Sequence, residues 1–264
     1  MRYTLGISTC PNDTFMFHAI LERRIDLHGL EFETSLHDVQ ELNTLVSQGR
    51  LDISKVSCYA AAKMHGTYEI GPAGAAIGFG VGPLLLKRRG APPLDRNARV
   101  LCPGTLTTAG LLYRRFFPDG ARAENLIFSE IMPALVEGRA DYGVVIHEGR
   151  FTYQKLGLEL VADLGSLWEA AYRLPLPLGC IVASHHVPKG EREKIHDCVR
   201  RSVEYAFANR EETLPTMRRY AQELDDGVMW SHVELYVNQW SVDLGTEGRR
   251  ALETFSALVR GDIP

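Results

Sequence analysis

A histidine stands at the end of one strongly apolar run, where it is placed to do proton chemistry. Val144-Val145-Ile146 is typical of a buried strand, and His147 and Glu148 follow it directly. Since α/β sheets bind ligands at the carboxyl ends of their strands, an imidazole with an ordinary pKa of about 6.5 suits proton abstraction there. The alternative is a core histidine with satisfied hydrogen bonds. A metal ion shared with Glu148 is not expected, because neighbours on a strand point to opposite faces.

A second apolar strand ends in Lys55-Val56-Ser57. Burying a lysine is unfavourable unless its ammonium reaches a wet site or an oppositely charged partner. The position at the carboxyl end of a strand is also one where α/β sheets bind ligands. The triplet Lys55, Val56 and Ser57 is therefore a candidate ligand-binding segment.

A third candidate joins a strand to a helix, in the segment Gly104-Thr105-Leu106-Thr107-Thr108-Ala109-Gly110. Backbone N–H groups and the helix dipole make a helix N-terminus an anion site. Thr108 and Ala109 fall where those N–H groups are expected. The alternative is simple capping, in which the Thr107 hydroxyl only satisfies the first helical turn.

Other signals for catalytic or cofactor chemistry are weak or absent. The run Gly78-x-Gly80-x-Gly82 precedes a strand rather than a helix, so it does not match a dinucleotide fingerprint. No nucleophile elbow, P-loop or His-Glu-x-x-His motif occurs. His185-His186 precedes Pro188 and is expected in a surface loop. The residues alone therefore leave open whether the chain is an enzyme or a binding protein.

The elements that must position these candidates alternate between strand and helix. Strands are expected near residues 3–8, 30–36 and 51–56, with a helix between each pair, which favours a mainly parallel α/β sheet. Residues 91–97 are rich in proline and polar side chains, and strand–helix alternation restarts after them. From residue 189 onward only helices are expected. We therefore predict two lobes separated by a cleft, one of residues 1–92 with 186–264 and a smaller α/β lobe of residues 93–185.

Composition limits the class of protein and its partners. The chain has 264 residues, a formal charge of −4 and 45% hydrophobic residues, which is typical of an ordered globular protein without a strong affinity for nucleic acid or anionic membranes. The longest uncharged run, residues 70–86, contains five glycines and two prolines, so no transmembrane helix is expected. No secretory signal is recognised near the N-terminus. Five scattered cysteines predict reduced thiols and a cytoplasmic protein.

Four segments of the sequence together resemble one family of enzymes. The similarity extends from about residue 3 to about residue 250, and the first two segments are the specific ones. The family is that of 1,4-dihydroxy-6-naphthoate synthases, the MqnD family of the futalosine route to menaquinone. The segments are Ser8-Thr9-Cys10-Pro11-Asn12-Asp13-Thr14-Phe15-Met16-Phe17, Ile146-His147-Glu148-Gly149-Arg150-Phe151-Thr152-Tyr153, Leu174-Pro175-Leu176-Pro177-Leu178-Gly179 and Arg200-Arg201-Ser202-Val203-x-Tyr205-Ala206.

The resemblance implies a fold, an activity and a set of site residues. The fold would be a two-lobed, periplasmic-binding-protein-like (type II) α/β fold. The activity would be conversion of cyclic dehypoxanthine futalosine into 1,4-dihydroxy-6-naphthoate, with release of dihydroxyacetone and without a metal or organic cofactor. His147 would be the proton acceptor. The residues that contact the substrate would be Lys55, Val56, Ser57, Thr108 and Ala109.

Two alternatives stay open at this point. The same fold serves solute-binding proteins that do no chemistry, although the missing export signal weighs against that reading. Chorismate dehydratase, from the same pathway, is expected to share the fold but not the two specific segments. The expected partner in each case is a small molecule, with no nucleic acid or membrane, and the oligomeric state is open.

Overall fold

The computed structural model describes residues 1–147, 149–221 and 225–263. The chain divides into two compact units. The first comprises Met1–Gly78 and Pro177–Pro264, and the second comprises Phe79–Leu176. The chain therefore passes from one unit to the other twice.

The described residues form the following strands and helices, each set numbered along the chain. The strands are β1 (Arg2–Ser8), β2 (Glu31–His37), β3 (Ile53–Ser57), β4 (Tyr68–Ile70), β5 (Ala76–Gly78), β6 (Leu84–Lys87), β7 (Val100–Cys102), β8 (Glu124–Asn125), β9 (Tyr142–Val145), β10 (Glu159–Asp163) and β11 (Leu176–Ser184). The helices are α1 (Pro11–Met16), α2 (His18–Leu21), α3 (Val39–Ser47), α4 (Cys58–Lys63), α5 (Thr108–Phe116), α6 (Phe128–Val136), α7 (Gly149–Thr152), α8 (Leu164–Tyr172), α9 (Lys189–Ala208), α10 (Arg210–Tyr220), α11 (Asp226–Tyr236), α12 (Gln239–Val242) and α13 (Gly245–Arg260). A 3₁₀ turn, Tyr153–Leu156, follows α7.

The first unit contains a sheet whose strands are ordered β2-β1-β3-β11-β4, with β5 paired to β11. β1 is parallel to β2 and β3, whereas β11 is antiparallel to β3 and β4. The sheet is thus mixed, which corrects the expectation of a mainly parallel sheet. Alternating apolar residues such as Leu5, Ile7 and Ile53 bury one face of these strands against the helices. From residue 189 onward the described elements are all helical, as predicted.

The second unit contains a sheet ordered β10-β6-β9-β7-β8. β7 is parallel to both of its neighbours, and β6 is antiparallel to β9 and β10. Leu84, Leu86, Ile131 and Leu135 form part of its apolar core. Trp168, on α8, is fully buried and donates to the carbonyl of Leu174 at 3.1 Å.

The bounds of the two units differ from those of the predicted lobes. β6 was placed in the first lobe, but its backbone pairs with β9 and β10 and so belongs to the second unit. Residues 91–97 consequently lie within the second unit rather than between units. The first unit resumes at Pro177, and residues 179–183 of β11 pair with β3, so the return to the first unit comes earlier than residue 186.

The last glycine of the run at residues 78–82, Gly82, packs too closely against α8 to carry a side chain. A Cβ on Gly82 would lie only 2.2 Å from the backbone N and Cα of Gly165, in the first turn of α8. The strand entering the second unit can approach that helix only because neither residue has a side chain. Along the described part of the chain, no helix is both long and apolar enough to cross a bilayer.

Candidate functional site

Lys55 and Ser57 end β3 in the first unit and are both buried. Because side chains alternate along a strand, these two share one face, and the fully buried Val56 points to the other. Ser57 also caps α4, and its backbone N–H donates to Asn43 Oδ1 at 2.9 Å. Val56 can therefore meet a ligand only through its backbone.

The ammonium of Lys55 forms a buried ion pair with Asp13. Lys55 Nζ lies 2.7 Å from Asp13 Oδ1, and the two side chains are 6% and 2% exposed. The ammonium also donates to the carbonyl of Gly74 at 3.3 Å. An ammonium carries three donors, and two of them have an acceptor among the described residues, which leaves one N–H available to a ligand.

Asp13 lies in the first turn of α1 but does not cap that helix. Helix α1 begins after Cys10, and its N-cap makes no side-chain hydrogen bond to the helix. The carboxylate of Asp13 instead accepts from Lys55 and from the Ser8 hydroxyl, the latter at 2.6 Å. A buried ammonium requires such a counter-charge, and the partner lies 42 positions away in the chain.

The N-terminus of α5 is capped by Thr107 and is buried, with Thr107, Thr108 and Ala109 each 3% exposed. The Thr107 hydroxyl donates to the carbonyl of Gly104 at 2.7 Å and accepts from the N–H of Gly110 at 3.1 Å. Thr107 is thus the cap, as the simpler interpretation of this segment held. Thr108 and Ala109 are the first two helical residues, so their N–H groups lie at the positive end of the helix dipole.

His147 lies in a turn just after β9, which ends at Val145. Its φ of +57° is in the left-handed region, which is uncommon for a residue with a Cβ. The ring is half-buried and packs edge-on to Phe128, with ring centroids 4.9 Å apart. Glu148, the neighbour weighed as a metal ligand, lies outside the described residues.

Arg150 holds the turn of His147 against the rest of the second unit. Its guanidinium donates to Asp163 Oδ2 at 2.8 Å and also to the carbonyl of Gly82. Its backbone N–H donates to the carbonyl of His147 at 3.3 Å. These contacts fix the left-handed turn, and sequence reasoning did not identify Arg150 or Asp163 as its anchors.

Each unit gathers its candidates at the carboxyl ends of two neighbouring parallel strands. In the second unit, Thr108 and Ala109 follow β7, and His147 follows the adjacent β9. In the first unit, Asp13 follows β1, and Lys55 lies near the end of the adjacent β3. This is the edge of an α/β sheet where ligands bind.

Metal-binding and thiol chemistry find little support elsewhere in the part of the chain that the structure describes. Among the described residues, no three His, Cys, Asp or Glu side chains lie close enough together to hold a metal ion. All five cysteines are buried, and burial raises the pKa of Cys102 to about 12. His185 and His186 are exposed after β11, as expected.

Comparison with known proteins gives consistent results. Residues 3–260 match the family model described as menaquinone biosynthesis. A 1,4-dihydroxy-6-naphthoate synthase from Thermus thermophilus is 42% identical over 248 residues, covering 94% of this chain and 90% of that protein. A 1,4-dihydroxy-6-naphthoate synthase from Streptomyces coelicolor is 38% identical, covering 98% and 94%.

Solved structures show the same fold. A crystal structure of a protein from Archaeoglobus fulgidus aligns with a TM-score of 0.91 at 28% identity, over 99% of this chain and 98% of that one. The periplasmic aliphatic sulphonate binding protein SsuA from Escherichia coli aligns with a TM-score of 0.65 at 12% identity, over 99% and 87%. The expectation of a periplasmic-binding-protein-like α/β fold is therefore confirmed.

Proposed function

This chain belongs to the menaquinone biosynthesis family, and from that premise we propose that it is a carbon–carbon lyase. The reaction converts cyclic dehypoxanthine futalosine into 1,4-dihydroxy-6-naphthoate. The observation that carries the proposal is the nearly full-length similarity to two 1,4-dihydroxy-6-naphthoate synthases. In this proposal the substrate is a small molecule and the enzyme acts in the cytoplasm.

His147 is the proton acceptor in this proposal. Removal of a proton from the substrate lets the sugar-derived carbons leave by a retro-aldol-like cleavage, as dihydroxyacetone, while the ring becomes aromatic. The position after β9 supports this role, since a side chain there extends from the edge of the sheet. The Arg150 contacts hold the backbone in a conformation that is unfavourable by about 1–2 kcal/mol, which is a typical feature of active-site residues.

The binding residues divide into two groups of different chemistry. Thr108 and Ala109 present backbone N–H groups at the start of α5, which suit a carboxylate or carbonyl oxygen of the substrate. Lys55 and Ser57 supply an ammonium donor and a hydroxyl, with Val56 contributing through its backbone. The ion pair with Asp13 holds the ammonium in one position, so little ordering is needed on binding.

The alternative from another class is a solute-binding protein, whose fold is also found among the structural neighbours. Incubation of the purified protein with cyclic dehypoxanthine futalosine separates the two. We expect 1,4-dihydroxy-6-naphthoate to accumulate over many turnovers, detected by chromatography. Binding without any conversion would contradict the proposal, and a parallel assay with chorismate tests the dehydratase alternative.

A further inference from the structure

A buried chain of hydrogen bonds extends from Lys55 through α1 to helix α11. Asp13 Oδ1 accepts from Lys55 Nζ at 2.7 Å and from Asn12 Nδ2 at 2.9 Å. Asn12 Oδ1 lies 2.9 Å from Nε2 of His232. The exposed fractions of these four residues are 5%, 2%, 6% and 0%, in the order Lys55, Asp13, Asn12, His232. Water is therefore not a ready substitute for any of these partners.

The direction of each hydrogen bond in this chain follows from the carboxylate at its centre. A carboxylate beside an ammonium only accepts, so the group of Asn12 that faces Asp13 must be its NH₂. The amide oxygen of Asn12 then faces His232 and also only accepts. Nε2 of His232 must therefore carry a proton, and that donor in turn holds the Asn12 amide in its orientation.

We propose that His232 is a positioning residue for Lys55, acting through Asn12 and Asp13. The inference rests on the proposed function, in which the Lys55 ammonium contacts the substrate. Without the Nε2–H donor, the Asn12 oxygen is left buried without its partner, and the amide can turn away from Asp13. The carboxylate then loses one of its donors, and the ammonium that it holds is free to shift. Sequence spacing cannot show this link, because His232 lies 220 positions from Asn12.

The test compares two replacements of the ring. Gln places an NH₂ donor near the position of the histidine Nε2, whereas Leu fills the space with no donor. We expect His232→Leu to raise KM for cyclic dehypoxanthine futalosine about tenfold with little change in kcat, the signature of lost substrate binding. His232→Gln is expected to keep KM within about twofold of the wild-type value, since it retains the donor.

A second buried histidine supplies the matched control. His18, in the same unit, is 2% exposed, and its Nδ1 lies 2.8 Å from the hydroxyl of Thr216. His18→Leu removes a similar ring and a similar hydrogen bond, so it is expected to lower Tm without changing KM. Equal KM values for wild-type protein and His232→Leu would overturn the inference, and so would equal losses in the Gln and Leu variants.

The Lys55 link and the proposed function are tested separately. In a Lys55→Met background, His232→Leu should cause no further rise in KM, because the two changes act through the same ammonium. A full additional rise would overturn the inference. Absence of turnover by the wild-type protein would overturn the proposed function and this inference together, whereas turnover with additive effects overturns the inference alone.

A measurement on the wild-type protein covers the case in which His232→Leu does not fold. Nitrogen-15 NMR of labelled histidine distinguishes the two ring tautomers. We expect the ring of His232, assigned by comparison with His232→Gln, to carry its proton on Nε2. A ring protonated only on Nδ1 would break the chain of donors at its first step and overturn the inference.

Discussion

Asp13 and Lys55 show, at the scale of single residues, what a buried charge requires. Both side chains are almost fully withdrawn from water, so neither is stable there without the other. The carboxylate has further donors from Ser8 and Asn12, which satisfy its remaining lone pairs. The same pair fixes the position of the ammonium that we propose contacts the substrate.

Loss of the carboxylate charge is predicted to destabilise the protein strongly. Asp13→Asn leaves the Lys55 ammonium buried without its counter-charge, which typically lowers the free energy of unfolding by about 3–5 kcal/mol. Urea denaturation measures the change. The control is Glu22→Gln, which breaks an exposed pair with Arg219 and should cost less than about 1 kcal/mol. Similar losses in both variants would contradict the prediction.

Removal of the proposed base is predicted to affect chemistry and not folding. His147→Ala should reduce kcat by about 10²–10⁴-fold, the usual contribution of a general base, while substrate still binds. Steady-state kinetics with a thermal unfolding curve measures both quantities. His185→Ala, at an exposed histidine, should leave kcat nearly unchanged. Near-normal kcat in a folded His147→Ala protein would return His147 to the role of a packing residue.

At the scale of elements, the start of α5 offers a substitution that removes one N–H group and keeps the helix. Proline is well tolerated at the first helical position, which Thr108 occupies. Thr107 already has the extended conformation, with φ −90° and ψ 147°, that a following proline requires. The helix is therefore expected to form in Thr108→Pro.

The predicted result of Thr108→Pro is weaker binding without loss of structure. One N–H donor to the substrate is lost, so KM should rise about tenfold, as for a hydrogen bond to a charged group. Thr108→Ser, which keeps the N–H, should change KM by less than about twofold. Circular dichroism checks the helix content, and equal KM values in the two variants would contradict the role of this N–H.

Local patterns predicted many elements, but not how they are assembled. β1, β9 and α5 were predicted close to their observed positions, because apolar periodicity and caps such as Thr107 act over a few residues. The helix α8 was missed, although Asp163 caps it by accepting from two of its N–H groups. Strand direction was also missed, since the antiparallel insertion of β11 depends on distant pairing.

The candidate site was predictable only in part, for the same reason. His147, Lys55 and Thr108 stand out because each follows or ends an apolar strand or begins a helix. Their partners do not stand out. Asp13 reads locally as a helix cap, and His232 sits among residues of a helix with no ligand spacing. Which polar groups meet in the interior is decided by tertiary packing, which no short window of sequence contains.

At the scale of the whole molecule, buried histidines predict how stability depends on pH. Burial lowers the pKa of His18 and of His196 below the ordinary value. As pH falls below about 6.5, the unfolded chain takes up protons that the folded chain does not. The free energy of unfolding should therefore be greatest at or above neutral pH and should fall with acidification.

The contribution of the His18 ring to this pH dependence of stability can be measured by substitution. His18→Leu should reduce the slope of unfolding free energy against pH by up to about 1.4 kcal/mol per pH unit between pH 6.5 and 5.5, since one proton no longer binds on unfolding. Urea titrations at several pH values give the slope, and the absolute stability is not the quantity compared. An unchanged slope, matching that of the exposed-site variant His185→Gln, would contradict the prediction.

The insertion of β11 between β3 and β4 also affects the order in which the protein folds during its own translation. On the ribosome, β1 to β5 emerge first, but the strand that belongs in the interior of their sheet ends only at Ser184. The second unit, continuous over Phe79–Leu176, is complete by then. We therefore expect it to become protease-resistant in nascent chains before the N-terminal residues do, a reversal of the usual N-terminal-first order of folding during translation.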